Sequence, residues 1–310
     1  AYLFAPRPVY RADFSGGPTN GAQHDAGPPK AGNPRSGAVV YYWLASPNDT
    51  VGLDFLDDAG RVIRSFSSRV KNAADTGGVE DVEVPRRREP LAPNKAGLNT
   101  FAWDLRTPDP ASFRGMVLWA GNPVGPRVVP GTYQVRLTVN GHAQTRPFVL
   151  RADPRSKATQ ADLVAQFTLL TRIADTISAA NNAIRTIHDV RDQLTARASA
   201  LGDAREKAAA LQDSLTRIEN SIYQVKTRAS EDPLNYPIGL NDKLAELAAY
   251  TGDGSGRPTA QDYAVFTELA TRLAAHLRAL HTALGSLRSI NSALGKAGAS
   301  PIVAGSADRQ

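Results

Sequence analysis

The sequence predicts a β region followed by an α region: an immunoglobulin-like antiparallel β-sandwich, then an elongated antiparallel helical bundle. Three observations lead there. Seventeen of the 21 prolines and all three tryptophans lie at or before Pro154. Residues 37–151 break into short apolar or alternating runs separated by turn residues, the pattern of strands. Beyond Pro154 the chain is alanine-rich and proline-poor, with Leu and Ile at heptad spacing, which favours packed helices. The predicted organisation is an extended N-terminal tether (1–36), a sandwich (37–153), a helical bundle (154–300) and a flexible tail (301–310).

Residues 1–36 hold breaker signals at Gly16-Gly17-Pro18, Gly27-Pro28-Pro29 and Gly32-Asn33-Pro34. The start is nevertheless too apolar for a free tail. Leu3, Phe4 and Tyr10, with Tyr2 and Val9, predict a docking segment that adds a strand to a sheet edge or lies in a groove. Ala1 is not an initiator Met, and no signal-peptide pattern follows it. That start is expected of a processed product or a piece of something longer.

Seven strands are expected. Ala38–Ala45 is continuously apolar and aromatic, as for a buried strand. Thr50–Asp57 alternates, Asp57-Asp58-Ala59-Gly60 turns the chain, and Arg61–Ser68 returns. Leu98–Arg106 and a short Gly115–Ala120 come next. Gly131–Asn140 and Ala143–Arg151 flank Asn140-Gly141, a two-residue hairpin signal because both central positions need φ > 0. Seven short antiparallel strands in about 115 residues suggest the immunoglobulin-like sandwich.

The helices follow from their seams. Leu163, Leu170, Ile177 and Ile184 recur every seven residues, with Ile173, Ala180 and Ile187 between them. The first helix, about Thr159 to Ala200, is ~60 Å long at 1.5 Å per residue. A second carries Leu211, Leu215, Ile218 and Ile222. A short third begins near Leu240. A last one runs unbroken from Tyr263 to Leu294 through Leu273 and Leu280. Thr159 with Asp162, and Thr259 with Asp262, read as capping boxes.

The 310 residues include no cysteine, so disulfides, thiol nucleophiles and thiolate metal sites are excluded. The formal charge of +6 is interspersed. Arg86-Arg87-Arg88 reads as a solvated loop, and no nucleic-acid module is visible. No apolar stretch approaches the ~20 residues of a membrane span. His188 with Asp189 and Asp192 is a poor tetrahedral metal set, and Asp57-Asp58 reads as a turn before a calcium site. No phosphate-cradling loop with a Lys, Gly-x-Ser-x-Gly or His-Glu-x-x-His occurs. Gly252-Asp253-Gly254-Ser255-Gly256 reads as an inter-helix loop. Asn48-Asp49-Thr50 matches a glycosylation sequon but reads first as a turn. Asn181 and Asn291 read as register-fixing polar residues at the helical seam. Trp43, Trp103 and Trp119 are candidate carbohydrate or partner contacts, although each sits in an apolar run where tryptophan usually packs in the core. No catalytic residue, metal or cofactor is predicted.

Several stretches together carry a resemblance. They are Leu3-Phe4-Ala5-Pro6-Arg7, Gly32-Asn33-Pro34, Gly37-Ala38-Val39-Val40-Tyr41-Tyr42 and Gly97–Arg106. Gly125-Pro126-Arg127-Val128-Val129-Pro130-Gly131-Thr132-Tyr133 and Asp232–Pro237 complete the set. Across nearly its whole length the chain resembles the C-terminal region of large secreted bacterial proteins with sortilin-type or BNR (sialidase-like) β-propeller repeats. Asn99-Thr100-Phe101-Ala102-Trp103-Asp104 and Pro130-Gly131-Thr132-Tyr133 are also similar to the immunoglobulin-like domain of flagellar hook-capping proteins. The resemblance implies a module that follows a propeller, in the periplasm or outside the cell. Family members are often labelled glycosyl hydrolases, but that label rests on the propeller. No propeller repeat, Asp-box or sialidase arginine triad is present here, so no catalytic residue carries over. The expected function is a non-catalytic accessory module for docking, binding or surface assembly. Its expected partner is the N-terminal β-propeller of the same parent or another protein surface. The alternatives are part of a glycoside hydrolase, or a carbohydrate-binding module that meets a glycan with exposed aromatics.

Overall fold

A computed structural model describes residues 1–12, 36–47, 50–69, 89–229 and 231–305. The strands are β1 (Tyr2–Leu3), β2 (Val9–Arg11), β3 (Ala38–Leu44), β4 (Val51–Leu56), β5 (Val62–Ser67), β6 (Gly97–Trp103), β7 (Gly131–Val139) and β8 (His142–Ala152). The helices are α1 (Gln160–Ala196), α2 (Arg205–Ile222), α3 (Leu240–Gly252), α4 (Ala260–Leu284) and α5 (Leu287–Lys296). The chain is therefore β then α. The Gly16–Pro34 breakers, most of the Asn48–Thr50 sequon and Arg86–Arg88 lie outside the described residues.

The strands form two sheets, in the orders β1-β3-β6 and β2-β8-β7-β4-β5. Their facing sides share one core. Val40, Tyr42, Phe101 and Trp103 from the first meet Leu53, Phe55, Val135 and Leu137 from the second. The Phe55 and Trp103 rings stack with centroids 4.6 Å apart. Gly37 enters β3 at φ +94°, and a Cβ there would sit 2.0 Å from the Trp103 carbonyl oxygen, so only glycine fits. Asn140 and Gly141 take φ of +49° and +85°, as their hairpin requires.

The pairings among β3–β8 are all antiparallel, and β2 of the N-terminal segment adds to the edge of β8 in parallel. One strand expectation is corrected. Gly115–Ala120 is not a strand. Its amides are taken by side chains of the helical half instead of a neighbouring strand. Val117 N–H donates to Tyr223 Oη, and Trp119 and Ala120 N–H donate to the Asp242 carboxylate at 2.9 and 3.0 Å. Phe113, Met116 and Leu118 accordingly pack into the helical core.

That core gathers Ile177, Ile184, Leu215, Ile222, Leu273 and Leu280. The capping boxes at Thr159–Asp162 and Thr259–Asp262 are both formed. Two further expectations are corrected. The last helix breaks between Leu284 and Leu287, where Ser286 Oγ donates to the Ala283 carbonyl and competes with the helical ladder. Asn291, at helical spacing from the buried Leu287 and Leu294, clamps the backbone of Ile302 through two hydrogen bonds of 2.8 and 2.9 Å. The expected flexible tail from residue 301 is thus anchored at its start, with Ile302 buried in the helical core.

Candidate functional site

The run Ala38–Leu44 does not form a strand buried on both sides. Successive side chains of a strand point to opposite faces. Ala38, Val40, Tyr42 and Leu44 point into the core, while Tyr41 and Trp43 are each 45% exposed. The flanking strands extend that outer face. Tyr2 pairs with Trp43, which pairs with Leu98 on the other side. One step on, Phe4 N–H donates to the Tyr41 carbonyl, and Tyr41 pairs with Thr100. Residues paired across antiparallel strands share a face. Tyr2 is 50% exposed, Phe4 43% and Leu98 63%. Five large apolar side chains therefore lie together on the outside of the three-stranded sheet.

The face is held in place from behind. Leu3, between Tyr2 and Phe4, is fully buried and anchors β1 in the shared core. Gln144 of β8 fastens the same segment at two points: its Oε1 accepts from Leu3 N–H at 2.9 Å, and its Nε2 donates to the Ala1 carbonyl at 2.8 Å. On the face the Tyr2 and Phe4 rings meet edge to face, 4.9 Å apart at 78°. The Arg146 guanidinium lies 6.0 Å from the Tyr2 ring, within cation–π range. Behind the sheet, burial pushes the Tyr42 hydroxyl well above the ordinary tyrosine range, and Tyr42 Oη donates to the Pro93 carbonyl.

The structure brings together Trp43, Phe4 and Tyr2 of the residues singled out in the sequence, and separates the others. Trp103 is fully buried, so it is a core residue and cannot contact a glycan. The core expectation is corrected for Trp43 and for Trp119, which is 44% exposed beside the Asp242 contact. Leu3 is an anchor and offers no contact surface. Tyr10 is exposed on β2, in the other sheet. Sequence reasoning places Tyr2 in the docking segment but misses Tyr41 and Leu98 as members of the same face. The alternation of Val40, Tyr42 and Leu44 against Tyr41 and Trp43 is the available signal.

Other candidate chemistry resolves into structural contacts. His188 Nε2 hydrogen-bonds Glu219 Oε1 at 2.5 Å, and Arg191 Nη2 donates to Glu219 Oε2 at 2.7 Å. Among the described residues no group of three His, Asp or Glu side chains gathers as a metal site. Asp57 closes its turn by accepting from Arg61 N–H and Nε at 2.8 and 2.7 Å. Asn181 is buried, accepts from Asn241 Nδ2 at 3.0 Å and donates to the Ala111 carbonyl at 2.7 Å. No described helix is long and apolar enough to cross a membrane.

Compared with known proteins, the chain matches no family model, no curated protein and no solved structure.

Proposed function

We propose that this chain is a non-catalytic accessory module of a secreted bacterial β-propeller protein, periplasmic or extracellular. In this reading it docks the propeller of its own parent through the outer face of the three-stranded sheet. The single observation that carries the reading is the contiguous face of Tyr2, Phe4, Tyr41, Trp43 and Leu98. Clustered exposed apolar side chains mark interaction sites, whereas scattered ones are ordinary. Tyr and Trp are the residues that most often dominate binding energy. The resemblance puts a propeller ahead of this region, and β1 leads the chain directly onto the face.

We read the fold more finely as an immunoglobulin-like sandwich carrying an elongated antiparallel helical bundle. The sheet orders support this, with β3 and β6 in the places of strands B and E, and β4, β7 and β8 in those of C, F and G. Tyr133, near the start of β7, donates its hydroxyl to the Val129 carbonyl at 2.6 Å, in the manner of a tyrosine corner.

Two observations favour docking over the alternatives. Tyr2 and Phe4 meet edge to face, so their rings do not form the flat platform on which a sugar stacks. Asp153, a carboxylate lining a cleft between the β half and helices α1 and α3, is held by hydrogen bonds from Arg155 at about 2, below the usual carboxylate range. It stays ionised at neutral pH and is unsuited to the general-acid role of a glycosidase.

The test is calorimetric titration of this chain with the separately expressed upstream domain of its gene. Saturable binding weakened by Tyr41→Ser and Trp43→Ser, each by ~2 kcal/mol or more as for an interface anchor, is expected. A gene with no propeller upstream, or binding indifferent to both substitutions, overturns the proposal. Trp43-dependent binding of soluble oligosaccharides would put the carbohydrate-binding reading in its place.

A further inference from the structure

The helical half holds the C-terminal segment of the chain in an unusual way. Residues 300–305 follow α5 through a turn in which Gly298 takes φ +70° and Ala299 N–H donates to the Leu294 carbonyl at 2.9 Å. The segment then runs between α5 and the end of α1. Among the described residues, no backbone group of residues 300–305 bonds to another backbone group. Backbone N–H and C=O groups need partners when they leave water, and here side chains of the helices supply them.

Three side chains do so. Asn291 of α5 holds both backbone groups of Ile302: its Oδ1 accepts from Ile302 N–H at 2.8 Å, and its Nδ2 donates to the Ile302 carbonyl at 2.9 Å. Gln193 of α1 does the same for Val303. Its Oε1 accepts from Val303 N–H at 3.0 Å, and its Nε2 donates to the Val303 carbonyl at 2.8 Å. Arg197 Nε donates to the Ser300 carbonyl at 2.8 Å. A primary amide carries an acceptor and a donor side by side. It therefore matches the N–H and C=O that one residue of an extended chain shows along one edge. Ile302 and Val303 turn these groups to opposite helices, as successive residues of a strand do. The two amides stand where neighbouring strands would.

The clamp is oriented by the helix that carries it. Gln193 Nε2 also donates to the Asp189 carbonyl at 3.1 Å, and Arg197 Nη1 to the Gln193 carbonyl at 3.1 Å. Positions 189, 193 and 197 are spaced by four, so they follow one face of the helix.

Among residues 300–305 only Ile302 is buried. It is 2% exposed and joins the helical core, whereas Val303 is 53% exposed. The contacts thus take hold of a backbone and one aliphatic anchor, and the identity of the other side chains counts for little. Strand-type peptide recognition divides its work in this way: main-chain bonds supply affinity, and a side-chain pocket supplies selectivity.

We infer that the groove between α1 and α5 is a peptide-binding site for an extended segment of another polypeptide with a branched aliphatic residue in the Ile302 place, and that this chain's own residues 300–305 occupy and block it. The connection through Gly298 is short, so the tail competes at an effective concentration on the order of millimolar. A peptide from outside is excluded while the tail is seated. The groove shares no residue with the aromatic face and does not depend on the propeller reading.

The test is a fluorescence-anisotropy titration of the full chain and its variants with a labelled peptide of the sequence Ala299–Gly305. Ile302→Asp expels the tail and leaves the groove intact. Val303→Pro removes the N–H that Gln193 accepts and keeps Ile302, so it carries the test if Ile302→Asp disturbs the fold. Saturable peptide binding by both variants is expected, with the parent at least about tenfold weaker because its tail competes. In the Val303→Pro chain, Gln193→Ala and Asn291→Ala should each weaken the peptide about tenfold, as for two ordinary hydrogen bonds lost. A peptide with Asp in the Ile302 place should not bind. No saturable binding by Val303→Pro while its circular dichroism matches the parent, or binding indifferent to both amide substitutions, overturns the site. Binding by the parent as tight as by the variants overturns the block.

Discussion

Glu219 is the clearest case of a single side chain whose surroundings determine its charge. It lies buried on α2, facing His188 and Arg191 of α1. Burial pushes its carboxyl up, but hydrogen bonds from His188 and Arg191 and the attraction of both outweigh that and hold it below the ordinary glutamate range. A carboxylate whose folded value is depressed contributes stability above the unfolded value and loses it as pH falls through the folded one. Glu219→Gln should therefore cost about 2 kcal/mol at pH 7, as expected for hydrogen bonds to a charged group. The gap to the parent should narrow once pH drops below ~4.3, the unfolded value. Urea unfolding at pH 7 and pH 3.5 measures both; a gap that is constant or widens in acid rules out a depressed Glu219. None of this is visible in the sequence, where the acidic neighbours of His188 are Asp189 and Asp192 of its own helix. The partner that matters lies 31 residues away on another helix.

Among the elements, those that depend on local residues are legible. Thr159-Gln160-Ala161-Asp162 and Thr259-Ala260-Gln261-Asp262 each contain every group their capping boxes use, so a four-residue window suffices. The heptads likewise carry their own geometry, because Ile177, Ile184, Leu215 and Leu273 only need a partner stripe to be buried. Thr259→Ala removes the acceptor for the Asp262 N–H and should cost ~1 kcal/mol. Thermal unfolding monitored at 222 nm checks it; an unchanged midpoint would mean that α4 does not depend on its cap. Two elements are not legible, for the opposite reason. Gly115–Ala120 looks like a strand until Tyr223 and Asp242 are known to take its amides, and those lie more than a hundred residues downstream. In Ala38–Leu44 both faces are apolar, so the residues alone do not say which face another layer covers. That hides the aromatic face, although Trp43 and Phe4 each stand out singly.

For the whole molecule, the first twelve residues matter out of proportion to their number. β1 extends one sheet and β2 extends the other, so the N-terminal segment spans both. Leu3 is fully buried, and Arg11 joins the β half to α1 and to the loop after α3. Deleting residues 1–12 should lower the thermal midpoint by about 5–10 °C, from the loss of a buried leucine and the contacts around it. Scanning calorimetry of the full and shortened chains decides this, and an unchanged midpoint would show that the segment is dispensable.

The contact between Arg11 and Ser255 has a consequence in time. The two residues are 244 positions apart, and β2 pairs with β8, far along the chain. Ribosomes add ~5–20 residues per second, so Arg11 emerges about 10–50 s before the serine it will meet. β2 must wait for β8 to be made, and Arg11 waits longer still for the loop after α3. The β half therefore cannot complete itself until the loop after α3 has been made, and Arg11 is among the last of its residues to settle.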